Sequence, residues 1–211
     1  APLVPVGDAY LFSQYDACLN LGGFANISYT LNRKKRAFDI GACNMVLNRL
    51  AGQLGMPYDK NGTTAREGGF QRALYDQLNT LDYYREAAPK SLGREFVESE
   101  VWPLLLHDTN TKDNLHTYTH HIAYQTGKTL DEIDAQTCLV TGGGAFNTYL
   151  MELITSYTDC DIIIPEPKLI SCKEALIFAL LGWLRYKQKT NIYASVTGAS
   201  RDHSSGRIAM P

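Results

Sequence analysis

Between residues 16 and 40 the apolar and polar positions fall into three short runs, DACLNLG, FANISYTL and KRAFDI, broken by Gly22-Gly23 and by the polar turn Asn32 to Lys34. Runs of this length, rich in β-branched and aromatic residues and bounded by turn formers, predict a meander of two hairpins. Val46, Leu47, Leu50 and Leu54 then recur at helical spacing, with Asn44 as the expected N-cap and Gly55 as the stop. From about residue 55 to 135 the period stays helical while Gly68-Gly69, Pro89, Gly93 and Pro103 interrupt it, which predicts a helical insertion built of short pieces. Inside it, Leu115, Tyr118, Ile122 and Ala123 form one stripe.

Alternation of strand and helix returns at TCLVT, a buried strand followed by the turn Gly142-Gly143-Gly144 and by a helix over 145–157 carrying Phe146, Leu150, Leu153 and Ile154. DIII is a second buried strand, and a loop bounded by Pro165 and Pro167 leads to a helix over about 172–187. The tail, 191–211, is rich in Gly, Ser and Thr without periodicity and is expected to be extended or loop-like. With the insertion removed, the order is three strands, helix, strand, helix, strand, helix. That order predicts an α/β fold with a mixed sheet, one half of an actin-like (ribonuclease H-like) nucleotide-binding domain. The expected division is 1–54 with 136–211 as that domain and 55–135 as the insertion.

Composition narrows the function classes. The 211 residues are 45% apolar and 20% charged, enough for a core, and 20 basic against 22 acidic groups give no general attraction to nucleic acid or anionic lipid. The longest nearly unbroken apolar run, Ala175 to Leu184, has ten residues, half of what a membrane-crossing helix needs, so it is expected to be a core helix. Five widely spaced cysteines without a CxxC pair fit a reducing cytoplasm and no zinc knuckle. The opening APLVP carries no signal segment, so either something preceded Ala1 or the chain is part of a longer protein.

Several positions are candidates for chemistry. Gly22 and Gly23 lie between the first two strands, where bare backbone can approach a phosphate; an ordinary tight hairpin is the competing reading. The turn from Val140 to Asn147 has the same logic, competes with a plain strand-to-helix turn, and lacks the GxGxxG spacing of a dinucleotide fold. Asp39, expected at the end of the third strand, could take a proton from a nucleophile, or close an Asx-type turn. Ser171 and Glu174 fit a capping box at a helix start. His116 and His120, four apart, read as a solvated helix face more readily than as a metal site, since no acidic partner stands at the usual spacing. In APKSLGRE, surface pairing of Lys90, Arg94 and Glu95 is the default.

The strings APLVPVGD, CLNLGGFANIS, FDIGACN, YDKNGTTAREG, PKSLGREF, VTGGGAFN, KEALIFALL and SVTGAS, in this order, resemble the anhydro-N-acetylmuramic acid kinases over essentially the whole chain. The resemblance implies an actin-like, hexokinase-type kinase of peptidoglycan recycling, cytoplasmic and homodimeric, that uses Mg-ATP and water to open the 1,6-anhydro bridge of its sugar and phosphorylate O6. It implies that Asp39 is the base, that Gly22, Gly23 and Asn26 form the second phosphate hairpin, and that Gly142, Gly143, Gly144 and Asn147 contact adenosine. Glu174 and Arg94 would bind the sugar, with the insertion lining that site. Two departures stand out: Gly41-Ala42-Cys43-Asn44 replaces the family's GPGN, and nothing here corresponds to the family's upstream glycine-rich phosphate loop. The chain is therefore expected to be the C-terminal part of such a kinase and to need the other half. A non-catalytic sugar- or nucleotide-binding module of the same fold is the alternative.

Overall fold

The computed structural model describes residues 3–106 and 110–209. Ala1 and Pro2 of the first motif, and Met210 and Pro211 of the tail, lie outside the described residues. Five strands, β1 (Ala17–Leu21), β2 (Phe24–Leu31), β3 (Lys34–Ala42), β4 (Thr137–Thr141) and β5 (Asp161–Ile163), form one sheet in the order β3-β2-β1-β4-β5. The meander pairs antiparallel, while β1–β4 and β4–β5 are parallel, so the sheet is mixed as expected. The helices are α1 (Val4–Leu11), α2 (Asn44–Gln53), α3 (Thr63–Arg66), α4 (Arg72–Asn79), α5 (Arg94–Phe96), α6 (Trp102–Leu106), α7 (Thr111–Glu132), α8 (Thr148–Ser156), α9 (Pro167–Tyr186) and α10 (Ala194–Thr197).

Strand alternation divides the sheet into two faces. Leu19 and Leu21 of β1, Ala25 and Ile27 of β2, and Cys138 and Val140 of β4 all join one apolar cluster with the α7 stripe Leu115, Tyr118 and Ile122. Burying each of the leucine, isoleucine and valine side chains among these stabilises the fold by about 1.5–3 kcal/mol. The Tyr118 hydroxyl also donates to the Ala42 carbonyl (2.8 Å), tying α7 to the end of β3. The other face of the sheet carries α1 and α9, whose contact is sealed by Val6, Ile177, Leu181 and Leu184. On that face β1 and β4 bury Cys18 and Leu139 against Phe12, then present Asn20 and Thr141 one step further on.

Six expectations need correction. β3 runs on through Ala42, so Asp39 lies inside the strand; a bulge between Ala25 and Asn26, opposite Gly41 and Asp39, absorbs the extra residue. Asn44 is the first residue of α2 and its cap is Cys43; the Asn44 amide instead donates to the Leu21 carbonyl (2.9 Å). α8 starts at Thr148, because a short 3-10 turn over Gly143–Phe146 precedes it and leaves Phe146 exposed. α9 starts at Pro167, a residue suited to the first helical position, which places Ser171 and Glu174 inside the helix and removes the capping box. The apolar run in α9 is not a core helix: Ile177, Leu181 and Leu184 are buried, while Leu176, Phe178 and Trp183 are exposed. The tail, finally, is not wholly loop-like but contains α10 and a bridge between Ile192 and His203; the opening motif, for which the pattern predicts no element, folds as α1.

Candidate active site

The polar positions on the α1/α9 face line two neighbouring cavities that share residues. A cavity of about 350 Å³ is bounded by Asn20, Asn26, Asp39, Lys90, Ser91 and Lys173, among others. A second, of about 190 Å³, shares Asn20, Asn26 and Lys173 with it and continues past Thr141 and Gly142 to Glu174. The bulge is what aims Asp39 here: it keeps Asp39 opposite Asn26 while returning Gly41 to register with Ala25 on the core face. Four of the candidates, Asn26, Asp39, Gly142 and Glu174, are thereby brought to one surface.

At the floor of the cleft Lys173 and Asp8 form a buried ion pair, Nζ to Oδ1 2.9 Å, and Ser28 donates to Asp8 Oδ2 (2.6 Å). This links α9, α1 and β2 directly below the polar surface. Asn20, Asp8 and Lys173 fall inside the quoted motifs CLNLGGFANIS, APLVPVGD and KEALIFALL, but the sequence assigns none of them an individual role. A signal for Asn20 was present, a polar residue between Leu19 and Leu21 in an otherwise apolar strand; Asp8 and Lys173 meet only through folding.

The three glycines of the β4–α8 turn have different reasons. Gly142 has φ +85°, and a Cβ there would meet Asn20 Oδ1 at 2.7 Å and the Leu21 carbonyl at 2.8 Å. At Gly144 a Cβ would stand 2.6 Å from Leu21 Cβ, so its bareness serves packing. At Gly143 the nearest atom is Asn44 Nδ2 at 3.7 Å, ordinary contact. Packing explains the first and third; it does not explain Gly143. That residue borders a separate cavity of about 500 Å³, with Asn44, Tyr58, Lys60, Phe146 and Asn147 in its wall. Tyr58 and Phe146 are both about half exposed there. Asn147 also caps α8, accepting from Leu150 N–H (3.0 Å).

In the β1–β2 hairpin the Gly22 N–H donates to Phe24 O (3.1 Å), and the carbonyls of Gly22 and Gly23 accept from Asn44 N–H (3.1 Å) and Cys43 N–H (2.8 Å). The hairpin thus anchors the start of α2. Arg94 is 80% exposed, pairs with Glu98 (3.4 Å) rather than Glu95, and stands outside the lining of the Asp39 cavity. His116 and His120 do not form a solvated face. They are half-buried, their rings 4.7 Å apart, and His120 faces the hydroxyls of Tyr149 and Tyr157 at 3.1 Å each. Burial, with His116 beside it, pushes His120 down to about 4. Among the described residues no three His, Cys, Asp or Glu side chains gather as a metal site. A groove of about 860 Å³, lined by Asp16, Arg33 and Arg201 among others, sits at the opposite end of the sheet and contains none of the candidates.

The family model described as anhydro-N-acetylmuramic acid kinase matches residues 1–211. Proteins of that name from Idiomarina loihiensis (32% identical, 95% of this chain and 58% of that protein), Sulfurimonas denitrificans (31%, 99% and 61%) and Vibrio cholerae (30%, 100% and 60%) are similar to the chain. The chain spans about 60% of the length of these curated relatives. Among solved structures, the activator of 2-hydroxyisocaproyl-CoA dehydratase from Clostridium difficile with bound ADPNP is 17% identical with a TM-score of 0.52, covering 88% of this chain and 67% of that one. Component A of (R)-2-hydroxyglutaryl-CoA dehydratase from Acidaminococcus fermentans is 16% identical with a TM-score of 0.54, covering 85% and 65%. Both share the actin-like fold.

Proposed function

The chain belongs to the anhydro-N-acetylmuramic acid kinase family, and from that premise we propose that it supplies the catalytic base, the sugar-facing cleft and the adenosine wall of an ATP-dependent kinase. The substrate is 1,6-anhydro-N-acetylmuramic acid. Water attacks C1 and its proton passes to Asp39; the C1–O6 bond breaks, O6 bonds to the γ-phosphorus, and the bond from that phosphorus to the bridging oxygen breaks, leaving ADP. The observation that carries this reading is that two neighbouring cavities sharing Asn20, Asn26 and Lys173 have Asp39 in the wall of one and Glu174 in the wall of the other, an arrangement suited to presenting a base and a second carboxylate to one sugar.

The bareness of Gly143 beside Phe146 and Tyr58 suits a flat adenine, and Gly22, Gly23 and Asn26 lie toward the phosphates. Mg²⁺ fits as an ion carried by nucleotide phosphates and water, a mode needing only one or two carboxylates, and it supplies charge neutralisation at the transferring group. The protein's part is to position the sugar and the one attacking water, to keep bulk water from the transferring phosphoryl group and to hold one proton. The second half of the phosphate site belongs, in this reading, to an upstream segment. The 211 residues alone are expected to give no sugar phosphorylation, and addition of that segment, in cis or in trans, to restore it. A homodimer is part of the same reading, and sedimentation tests it.

The deciding experiment is Asp39→Asn in the active kinase. Turnover should fall by about two to four powers of ten while sugar and nucleotide affinities stay near wild type. Wild-type turnover would remove Asp39 from the role.

A further inference from the structure

β3 is one of the two edge strands of the sheet, and one segment of the helical region hydrogen-bonds across its open side at Asp39. The Asp39 N–H donates to the Lys90 carbonyl (3.3 Å), the Tyr83 hydroxyl donates to the Asp39 carbonyl, and the Leu92 N–H donates to Asp39 Oδ2 (2.9 Å). Both outward backbone groups of Asp39 and one carboxylate oxygen are therefore held by residues 83–92. That segment is in turn tied down. Lys90 Nζ donates to the Tyr83 carbonyl (2.9 Å) with its charge 4.5 Å above the Tyr83 ring, and the ring packs on Tyr84 and Phe96. The Tyr84 hydroxyl meets buried His121 Nε2 (3.0 Å) on α7, whose Nδ1 meets Asn79 Oδ1 (2.8 Å) on α4.

An edge strand needs cover, yet general cover would be spread along its length. Here the hydrogen bonds converge on the residue whose carboxylate lines the cleft. Burial, with the Asp39 charge close by, pushes the Tyr83 hydroxyl well above the usual tyrosine range, so it stays a donor at any working pH.

We propose that residues 83–92 form a strap that positions Asp39, with Tyr83 as its principal positioning residue, and that Leu92 N–H holds Oδ2 so that Oδ1 takes the proton from the attacking water. The proposal rests on Asp39 being the base. Its value lies in angle: a carboxylate on a bulged edge strand has several rotamers, and proton transfer requires heavy atoms within hydrogen-bond reach.

Tyr83→Phe keeps the ring and deletes the donor. In the active kinase it should lower kcat about tenfold or more, with KM for sugar and nucleotide within twofold, and it should change nothing further once Asp39 is already Asn. In the 211-residue chain, hydrogen exchange at the Leu92 amide should accelerate at least tenfold in Asp39→Ala. Equal losses from Tyr83→Phe in both backgrounds, or a Leu92 amide indifferent to Asp39→Ala, would overturn the strap. An unimpaired Tyr83→Phe beside an inactive Asp39→Asn would overturn the strap and leave the base; an active Asp39→Asn would overturn both.

Discussion

The two faces of the sheet are made by the same strands and obey opposite rules. Toward α7, β1, β2 and β4 present Leu19, Ile27 and Val140, all essentially unexposed, and the core continues without a polar break into Leu115 and Ile122. Toward α1 and α9, Cys18 and Leu139 are still apolar, but the alternate positions beside and beyond them are Asn20, Asn26, Ser28 and Thr141, and Asp39 arrives next to these. A face that only had to hold the fold together would not place amides and hydroxyls on central strands, because each must find a partner or cost stability. The exception to the apolar pattern is what singles out this face as the candidate site.

The comparison breaks most visibly where the polar face is also structural. Removing Lys173 leaves Asp8 charged and buried without its partner, so Lys173→Ala should destabilise by about 3–5 kcal/mol in denaturant titrations. A loss under 1 kcal/mol would mean the pair is far better hydrated than its burial indicates. On the core face, Leu19→Ala should lower stability by about 2–5 kcal/mol through cavity formation. Substitution there should leave the ligand affinities of the remaining folded protein unchanged, in contrast to any change on the cleft face.

What could be read from the chain follows the same division. The meander, the α7 stripe and the buried TCLVT strand were legible because period and burial agree in them. α9 misled because ten apolar residues in a row hide which side faces inward, and only the packing of α1 decides it. The capping box at Ser171 was locally sound and lost to Pro167, an earlier start with its own preference for the first turn. Asp39 and Gly143 were visible as residue types in suggestive turns. The strap across β3 was not, since Tyr83, Lys90 and Leu92 have no shared period and reach Asp39 across 44 to 53 positions.

Acid should expose a further contrast, between one interior histidine in the folded protein and the same residue in the unfolded chain. Burial pushes His121 down to about 3, below its ordinary value near 6.5, so the folded state keeps it neutral while the unfolded chain takes up a proton. Its stabilising contribution is full above about pH 6.5 and is lost as pH falls toward 3. Between pH 7 and 5 this group alone should remove about 2 kcal/mol. Urea titrations at the two pH values should show that drop shrinking by about this amount in His121→Asn; an identical drop would place the titration elsewhere.

The smallest effect is the most informative about the proposed adenosine wall. A Cβ at Gly142 or Gly144 runs into Leu21, so substitution there mixes folding with binding. Gly143 separates the two, because its nearest atom would be Asn44 Nδ2 at 3.7 Å and its φ is not in the left-handed region. Gly143→Val should therefore leave the denaturation midpoint close to wild type. The branched side chain would instead project into the cavity shared with Phe146 and Tyr58, where backbone and nucleotide are expected to meet. Calorimetric titration with ATP should show affinity falling about tenfold, equivalent to about 1.4 kcal/mol. Unchanged affinity in a folded Gly143→Val protein would mean that this glycine serves only the strand-to-helix turn, and the adenosine wall would have to be sought on another surface.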